Sequence, residues 1–243
     1  MDSFTSLVLE AESNFLQANP DEPAVPLEEP IRVALIDDGI DITRLKHKHN
    51  KEQSFCNRDG NVAPYYISSF GHGPAMASQI YRICPRAQLY VLKLDDHLHG
   101  GKRQIEPLSA AQAICEAVAK DVHIISMPWT IPRPDDSRTR EILEAAISEA
   151  RQKKILMFCS ASDGGPIEDT GFPWAAAKSN IFRIGAATDK GMANPDVGTT
   201  EESDHKYLEV WTIFEEYISN MSHTTDEMID QIANLGDELC RNI

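Results

Sequence analysis

The stretch RVALIDDGID, residues 32–41, decides the fold and raises the functional question. Its uninterrupted apolar run predicts a buried strand of a parallel sheet, because such strands are covered on both faces. The run ends in Asp37, Asp38 and Gly39. Asp and Gly are frequent in turns, so an ordinary turn is one interpretation of these three residues. The other interpretation is a functional site, because α/β proteins gather ligands and catalytic groups beyond the carboxyl ends of their strands.

Short apolar runs alternate with helical patterns along the following sequence. We predict strands at 31–36, 89–94, 122–127, 155–160 and 181–187, and helices at about 73–83, 109–120 and 139–152. Continuous apolar strands separated by helices indicate an α/β fold in which a parallel sheet is sandwiched between helices.

The two ends of the chain differ in composition from this region. Residues 19–30 hold four prolines and four acidic residues, which disfavour helix and sheet and are typical of a linker. We therefore divide the chain into an N-terminal segment with its linker (1–30), one domain (31–190) and a polar linker with an acidic, α-helical C-terminal tail (191–243). In that tail, 207–221 and 224–240 have the pattern of two amphipathic helices.

Composition and charge exclude several classes of partner. The formal net charge of −15 argues against nucleic acid and against an anionic membrane surface. The N-terminus lacks the basic and apolar regions of a secretory signal, and no stretch approaches the roughly 18 apolar residues of a membrane span. The five cysteines show no CxxC spacing, and we expect Cys115 and Cys159 to be buried free thiols. These features predict a cytoplasmic protein.

A second motif, FGHGPAMASQI at residues 70–80, places His72 between two glycines at the start of a predicted helix. The small residues Ala75 and Ala77 would let this helix pack closely against the sheet. An Asp at the end of a strand and a His at the start of a nearby helix can meet in space. Taken alone, His72 is also compatible with a structural role at the helix start.

VALIDDGID and HGPAMA together resemble two signatures of the subtilisin-like serine peptidases, the subtilases. The first signature is a strand ending in Asp-[Ser/Thr]-Gly-Ile/Val-Asp, and the second is His-Gly-Thr-x-x-Ala, with Pro74 in place of Thr. The resemblance implies the subtilisin fold, with Asp37 as the acid that orients the imidazole and His72 as the general base. It also implies that the Asp37 carboxylate lies within hydrogen-bonding distance of His72 Nδ1.

Two later segments resemble further parts of the subtilase site. VHIISMPWT (122–130) resembles the strand that runs into the substrate-binding edge, which assigns Ser126, Met127, Pro128 and Trp129 to a peptide groove. FCSASDGG (158–165) resembles the segment of the oxyanion hole, where Asp163 stands in place of the usual Asn. An ionised Asp163 would repel a developing oxyanion. Pro128 lacks a backbone donor that an incoming peptide would use.

The third subtilase signature, Gly-Thr-Ser at the start of a small-residue helix, has no recognisable counterpart. The nearest match is Gly-Thr-Thr at 198–200, which continues into the charged sequence EESDHK, so Thr200 is a poor candidate for the nucleophile. We assign the remaining serines near the predicted site to turns and caps: Ser68, Ser69, Ser160, Ser162 and Ser222. The resemblance thus implies a serine endopeptidase domain for peptide or protein substrates, which we predict to be inactive in this chain.

Two other functions stay open at this point. One is a non-catalytic module on the subtilase fold that binds a peptide or a partner protein. The other is a receiver-like phospho-acceptor domain that holds Mg²⁺ with Asp37, Asp38 and Asp95, although this leaves HGPAMA unexplained. The pairs His47/His49 and His97/His99 lie in charged stretches that are typical of solvated loops. We therefore expect no metal and no cofactor.

Overall fold

The structure is a computed structural model that describes residues 30–41, 53–58, 61–84, 87–161, 171–177 and 180–185. Asp163, Thr200, the N-terminal linker and the two predicted tail helices lie outside the described residues. Within the described ranges, every helix is too short or too polar to cross a membrane.

The strands, in chain order, are β1 (Arg32–Asp37), β2 (Gln53–Ser54), β3 (Asn57–Arg58), β4 (Asn61–Val62), β5 (Gln88–Lys93), β6 (Asp96–His99), β7 (Lys102–Ile105), β8 (Ile124–Met127), β9 (Leu156–Ser160) and β10 (Ile181–Ile184). Six of them form one sheet in the order β10-β9-β8-β1-β5-β2. All pairings in this sheet are parallel, so the carboxyl ends of its strands share one edge. The predicted parallel sheet is therefore confirmed, with β1 among its inner strands.

Three helices cover the sheet: α1 (His72–Ile83), α2 (Pro107–Ala119) and α3 (Ser137–Gln152). All three begin one or two residues earlier than predicted. Pro107 occupies the first turn of α2, where its missing N–H costs no hydrogen bond. α3 is capped by Asp136, whose carboxylate accepts a hydrogen bond from the Thr139 backbone N–H at 2.8 Å.

The two faces of β1 show why the strand is apolar throughout. Val33 and Leu35 pack with residues of α1 in one core cluster. Ala34 and Ile36 belong to a second cluster on the opposite face, together with residues of α2 and α3. Each large side chain buried in this way contributes about 1.5–3 kcal/mol to folding. The helices therefore cover both faces of the sheet, as the apolar pattern predicts.

Two sequence expectations were wrong in detail. Residues 96–105, part of the stretch predicted as a solvated loop, form an antiparallel hairpin of β6 and β7. Gly100 and Gly101 adopt the positive φ angles of its tight turn. Cys159 is buried as predicted, but Cys115 is exposed, because the buried residues Ala110, Ala113 and Ala117 lie on the opposite face of α2.

Candidate active site

Asp37 is the last residue of β1, and its side chain is fully buried. His72 is the first residue of α1. The His72 Nδ1 atom lies 2.6 Å from Asp37 Oδ2, so the contact that the resemblance implied is present. The position of β1 inside the sheet and the close packing of α1 against it bring together two residues from distant parts of the sequence.

The approach of α1 to β1 depends on two glycines. A Cβ atom on Gly73 would lie 1.9 Å from the carbonyl oxygen of Gly39. Gly39 itself has a φ of 101°, a conformation that L-residues with side chains rarely adopt. The GHG and DDG motifs are therefore two sides of one close backbone contact, and that contact sets the distance between His72 and Asp37.

Asp38, at the variable position of the first signature, organises the start of α1. One of its carboxylate oxygens accepts hydrogen bonds from Ser68 Oγ and from the Phe70 backbone N–H, each at 2.6 Å. The other accepts one from the Gly73 backbone N–H, also at 2.6 Å. Burial acts to raise the pKa of Asp38, but these hydrogen bonds outweigh it and hold the pKa below its usual value.

Sequence reasoning missed Arg103, which contacts the acid from the other side. The Arg103 Nη2 atom lies 2.9 Å from Asp37 Oδ1, and its Nε lies 2.8 Å from Asp96 Oδ2. The same Oδ1 of Asp37 accepts a hydrogen bond from the Asp38 backbone N–H at 2.8 Å. Arg103 lies on β7, in the segment predicted as a loop, and a single arginine in a charged stretch carries no signal of this contact.

The electrostatics of His72 follow from these neighbours. The hydrogen bond to Asp37 raises the pKa of His72 above its usual value, and the negative charge of Asp37 adds to this effect. Partial burial and the positive charge of Arg103 act in the opposite direction. The His72 side chain keeps 39% of its surface exposed, so the imidazole can reach solvent or a bound molecule.

The residues assigned to the peptide groove divide into two pairs. Ser126 and Pro128 are partly exposed at the carboxyl end of β8. Met127 and Trp129 are 0% and 4% exposed, so their side chains belong to the core. The Trp129 Nε1–H donates to the Ile36 carbonyl at 2.8 Å, which ties this segment to β1 directly before Asp37.

Ser68, Ser69 and Ser160 take part in structural hydrogen bonds. Ser68 donates to Asp38, Ser69 Oγ accepts from Lys93 Nζ at 3.0 Å, and the Ser160 carbonyl accepts from Thr130. In the part of the chain that the structure describes, Asp37 is the hydrogen-bond partner of the His72 ring. Ser162, Asp163, Thr200 and Ser222 lie outside the described residues.

The geometry argues against the receiver-like interpretation. A phospho-acceptor site needs carboxylate oxygens that are open to Mg²⁺. Asp37 and Asp38 are instead fully buried, and their oxygens already accept hydrogen bonds or ion pairs. Across the described ranges, no group of three or more His, Cys, Asp and Glu side chains is arranged to hold a metal ion.

The arrangement suits acid–base chemistry. A carboxylate at Nδ1 fixes the imidazole so that Nε2 accepts a proton, and it stabilises the imidazolium that forms. With its partly exposed ring, His72 can take a proton from a hydroxyl or water at Nε2.

Comparisons with known proteins agree with this geometry. The model of the subtilase family, peptidase S8, matches residues 29–231. The subtilisin-like protease het-Q2 of Podospora anserina is 30% identical over 178 residues, which are 70% of this chain and 47% of that protein. The chain thus spans about half the length of this curated relative.

Solved structures share the fold at lower identity. The nisin leader peptidase NisP from Lactococcus lactis superposes with a TM-score of 0.58 at 15% identity, covering 89% of this chain and 76% of that one. The epidermin leader peptide processing serine protease EpiP from Staphylococcus aureus superposes with a TM-score of 0.56 at 17% identity, covering 75% of this chain and 51% of that one. A family model that spans most of the sequence, together with the shared fold, shows that this chain belongs to the subtilase family.

Proposed function

We propose that this chain carries the acid–base half of a peptide-hydrolysing site, with Asp37 as the orienting acid and His72 as the general base. The observation that supports this role is the 2.6 Å contact between Asp37 Oδ2 and His72 Nδ1. The substrate class is a peptide or protein, as expected for a member of this peptidase family.

Burial strengthens this assignment. Asp37 has no exposed surface, so its charge acts on His72 with little screening by water. A serine hydroxyl is a weak nucleophile until a base removes its proton, and a carboxylate-bound imidazole is the base that this reaction uses. The pKa of His72 is raised, as expected for an imidazole whose protonated form is stabilised by a neighbouring carboxylate.

We further propose that this chain by itself does not complete the reaction. Its sequence has no Gly-Thr-Ser signature at the start of a small-residue helix, and Asp163 replaces the asparagine that is usual in the oxyanion hole. The base would then be in place without a nucleophile. Such a protein keeps the fold, the acid and the base, but it does not hydrolyse peptides.

A fluorophosphonate probe tests this second part of the proposal. The purified chain is incubated with the probe and its intact mass is recorded, next to His72→Ala and to an active subtilisin as the positive control. We expect no adduct on the chain and full labelling of the subtilisin. An adduct that forms on the wild-type chain and is lost in His72→Ala would show that an unrecognised hydroxyl completes the site, and peptide mapping would name it.

A non-catalytic peptide-binding module is the second candidate, and exposed apolar side chains in the segment before α1 and on the β6–β7 hairpin favour it. Ile67, Phe70 and Leu98 are 57%, 41% and 61% exposed. Ile67 and Phe70 also line a pocket of about 240 Å³ together with Ala63, Pro64, Ser69 and Lys93. Apolar side chains of a peptide would lose contact with water there.

The binding of acetyl-Ala-Ala-Phe-Leu amide, followed by NMR, tests this candidate. We expect saturable shifts of resonances near Phe70, weakened at least about tenfold in Phe70→Ser, since this removes an aromatic contact of the pocket. His72→Ala is expected to bind as wild type does, because binding without chemistry does not need the base. Absence of saturable shifts at millimolar peptide would contradict the module hypothesis.

A further inference from the structure

Arg103 connects two buried carboxylates through different nitrogens of its guanidinium group. Its Nη2 contacts Asp37 Oδ1 at 2.9 Å and its Nε contacts Asp96 Oδ2 at 2.8 Å. Both carboxylates have no exposed surface, whereas the Arg103 side chain is 21% exposed. Arg103 Cζ lies over the ring of Phe70, 5.8 Å from its centroid. This is a planar, pre-oriented fork, and a lysine could not reproduce it.

The two oxygens of Asp37 therefore serve different partners. Oδ2 faces His72, and Oδ1 faces Arg103 and the Asp38 backbone N–H. A contact on each side fixes the rotation of the carboxylate, so Oδ2 stays aimed at Nδ1. The negative charge is also shared between two cationic groups, and less of it is available to stabilise a protonated imidazole.

The charged groups around His72 belong to four strands and their ends. Asp37 and Asp38 face it from the end of β1, and Arg103 faces it from β7. Beyond Arg103 lie Asp96 on β6 and Lys93 on β5. Of the three charged side chains that act on the pKa of His72, Arg103 is the positive one. It contacts Asp37, which in turn contacts the imidazole.

We infer that Arg103 is a positioning residue for the Asp37–His72 pair: its guanidinium locks the Asp37 carboxylate and reduces the proton affinity of the imidazole. This inference rests on the proposed function of the pair. It also gives the β6–β7 hairpin a role, because the hairpin holds the guanidinium against the acid. The buried Asp96 fixes the guanidinium through its Nε atom.

The experiment measures the titration of the His72 ring by NMR in variants of the full chain. Arg103→Met alone would leave Asp96 buried without its cation, so it is combined with Asp96→Asn. In the double variant we expect the proton affinity of His72 to rise by about three- to tenfold, since Asp37 then serves the imidazole alone. Loss of the Asp96 charge acts in the opposite direction, so a rise has to come from loss of the guanidinium.

Arg133→Met combined with Asp135→Asn is the matched control, because it removes one exposed arginine and one exposed aspartate, as the test variant removes one arginine and one aspartate. We expect it to leave the His72 titration unchanged. A folded double variant in which His72 titrates as in wild type would overturn the inference. A rise of equal size in the control variant, Arg133→Met with Asp135→Asn, would also overturn it, because the effect would then not depend on the contact with Asp37.

A measurement on the wild-type protein decides the case if the double variant does not fold. The Nε–H and Nη–H resonances of Arg103 should shift with the same midpoint as the His72 ring, because both groups contact Asp37. If the Arg103 resonances did not shift as His72 titrates, the proposed coupling between Arg103 and His72 would be contradicted. Neither readout involves catalysis, so a failed search for a nucleophile does not affect them.

Discussion

The backbone N–H of Gly73 donates a 2.6 Å hydrogen bond to Asp38 Oδ1, which joins the start of α1 to the residue that follows β1. This bond lies one residue away from the Asp37–His72 contact on both segments. The Asp38 side chain, next to the acid, and the Gly73 backbone, next to the base, therefore hold the two functional residues together. The geometry of the pair thus depends on neighbouring residues as well as on the acid and the base.

Gly73→Ala should destabilise the protein and disturb the pair. The added Cβ would lie 1.9 Å from the Gly39 carbonyl oxygen and 2.7 Å from Asp38 Oδ1, so α1 has to move away from β1. Overpacking of this kind costs about 1–3 kcal/mol, which exceeds the gain from replacing a helical glycine. Chemical denaturation measures the cost.

Ser78→Ala is the control for this substitution, because Ser78 is exposed on the same helix. We expect it to leave stability unchanged or slightly raised. A Gly73→Ala protein as stable as wild type, with an unchanged His72 titration, would show that the close contact does not set the geometry.

Asp38→Asn should lower the free energy of unfolding by about 1.5–3 kcal/mol at neutral pH, because an amide oxygen cannot replace a carboxylate that accepts three hydrogen bonds. Burial acts to raise the pKa of Asp38, but the hydrogen bonds lower it by more than burial raises it. The native pKa therefore lies below the usual value. The stabilisation is therefore present above about pH 4 and is lost as the pH falls through the native pKa.

Urea denaturation between pH 2 and pH 7 tests this dependence. The difference in stability between wild type and Asp38→Asn should shrink as the pH falls. Asp135→Asn, at an exposed position near the start of α3, is the control and should change little at any pH. A difference that stays constant down to pH 2 would mean that the charge of Asp38 does not stabilise the fold.

Trp129→Phe should destabilise the protein by about 1–3 kcal/mol. The substitution leaves the Ile36 carbonyl without its donor and removes part of a buried aromatic ring. Thermal and chemical unfolding measure the loss, and Arg133→Ala, at an exposed position in the same connection, should be neutral. If Trp129→Phe kept full stability but changed peptide binding, the side chain would belong to the groove and not to the core.

The sequence was informative wherever periodicity or backbone requirements leave a pattern. The apolar run of β1 predicted a strand with both faces covered, and Val33 and Ala34 indeed pack on opposite faces of the sheet. The small residues Ala75 and Ala77 predicted close packing of α1 against the sheet, and Ala77 is buried in one cluster with Val33 and Leu35, whereas Ala75 is exposed. These features follow from local rules that hold in any protein.

Partners that arise only from tertiary structure could not be predicted. Arg103 reaches Asp37 across 66 positions of sequence, and its stretch reads as a charged loop because β6 and β7 are short and polar. The groove assignment of Trp129 took no account of side-chain direction, which turns the ring inward. Asp38 occupies the variable position of the motif, and only the fold shows that its carboxylate accepts three hydrogen bonds.

The titration of His72 in wild type and in Asp37→Asn tests the central claim most directly. The account predicts a pKa above the usual value of about 6.5 in wild type, because the protonated ring gains the Asp37 carboxylate, and a lower pKa in the variant. The linked stabilisation would be present below about pH 6.5 and lost as the pH rises through the native pKa. A folded Asp37→Asn protein in which His72 titrates as in wild type would contradict the account, since the acid and the base would then not act as a pair.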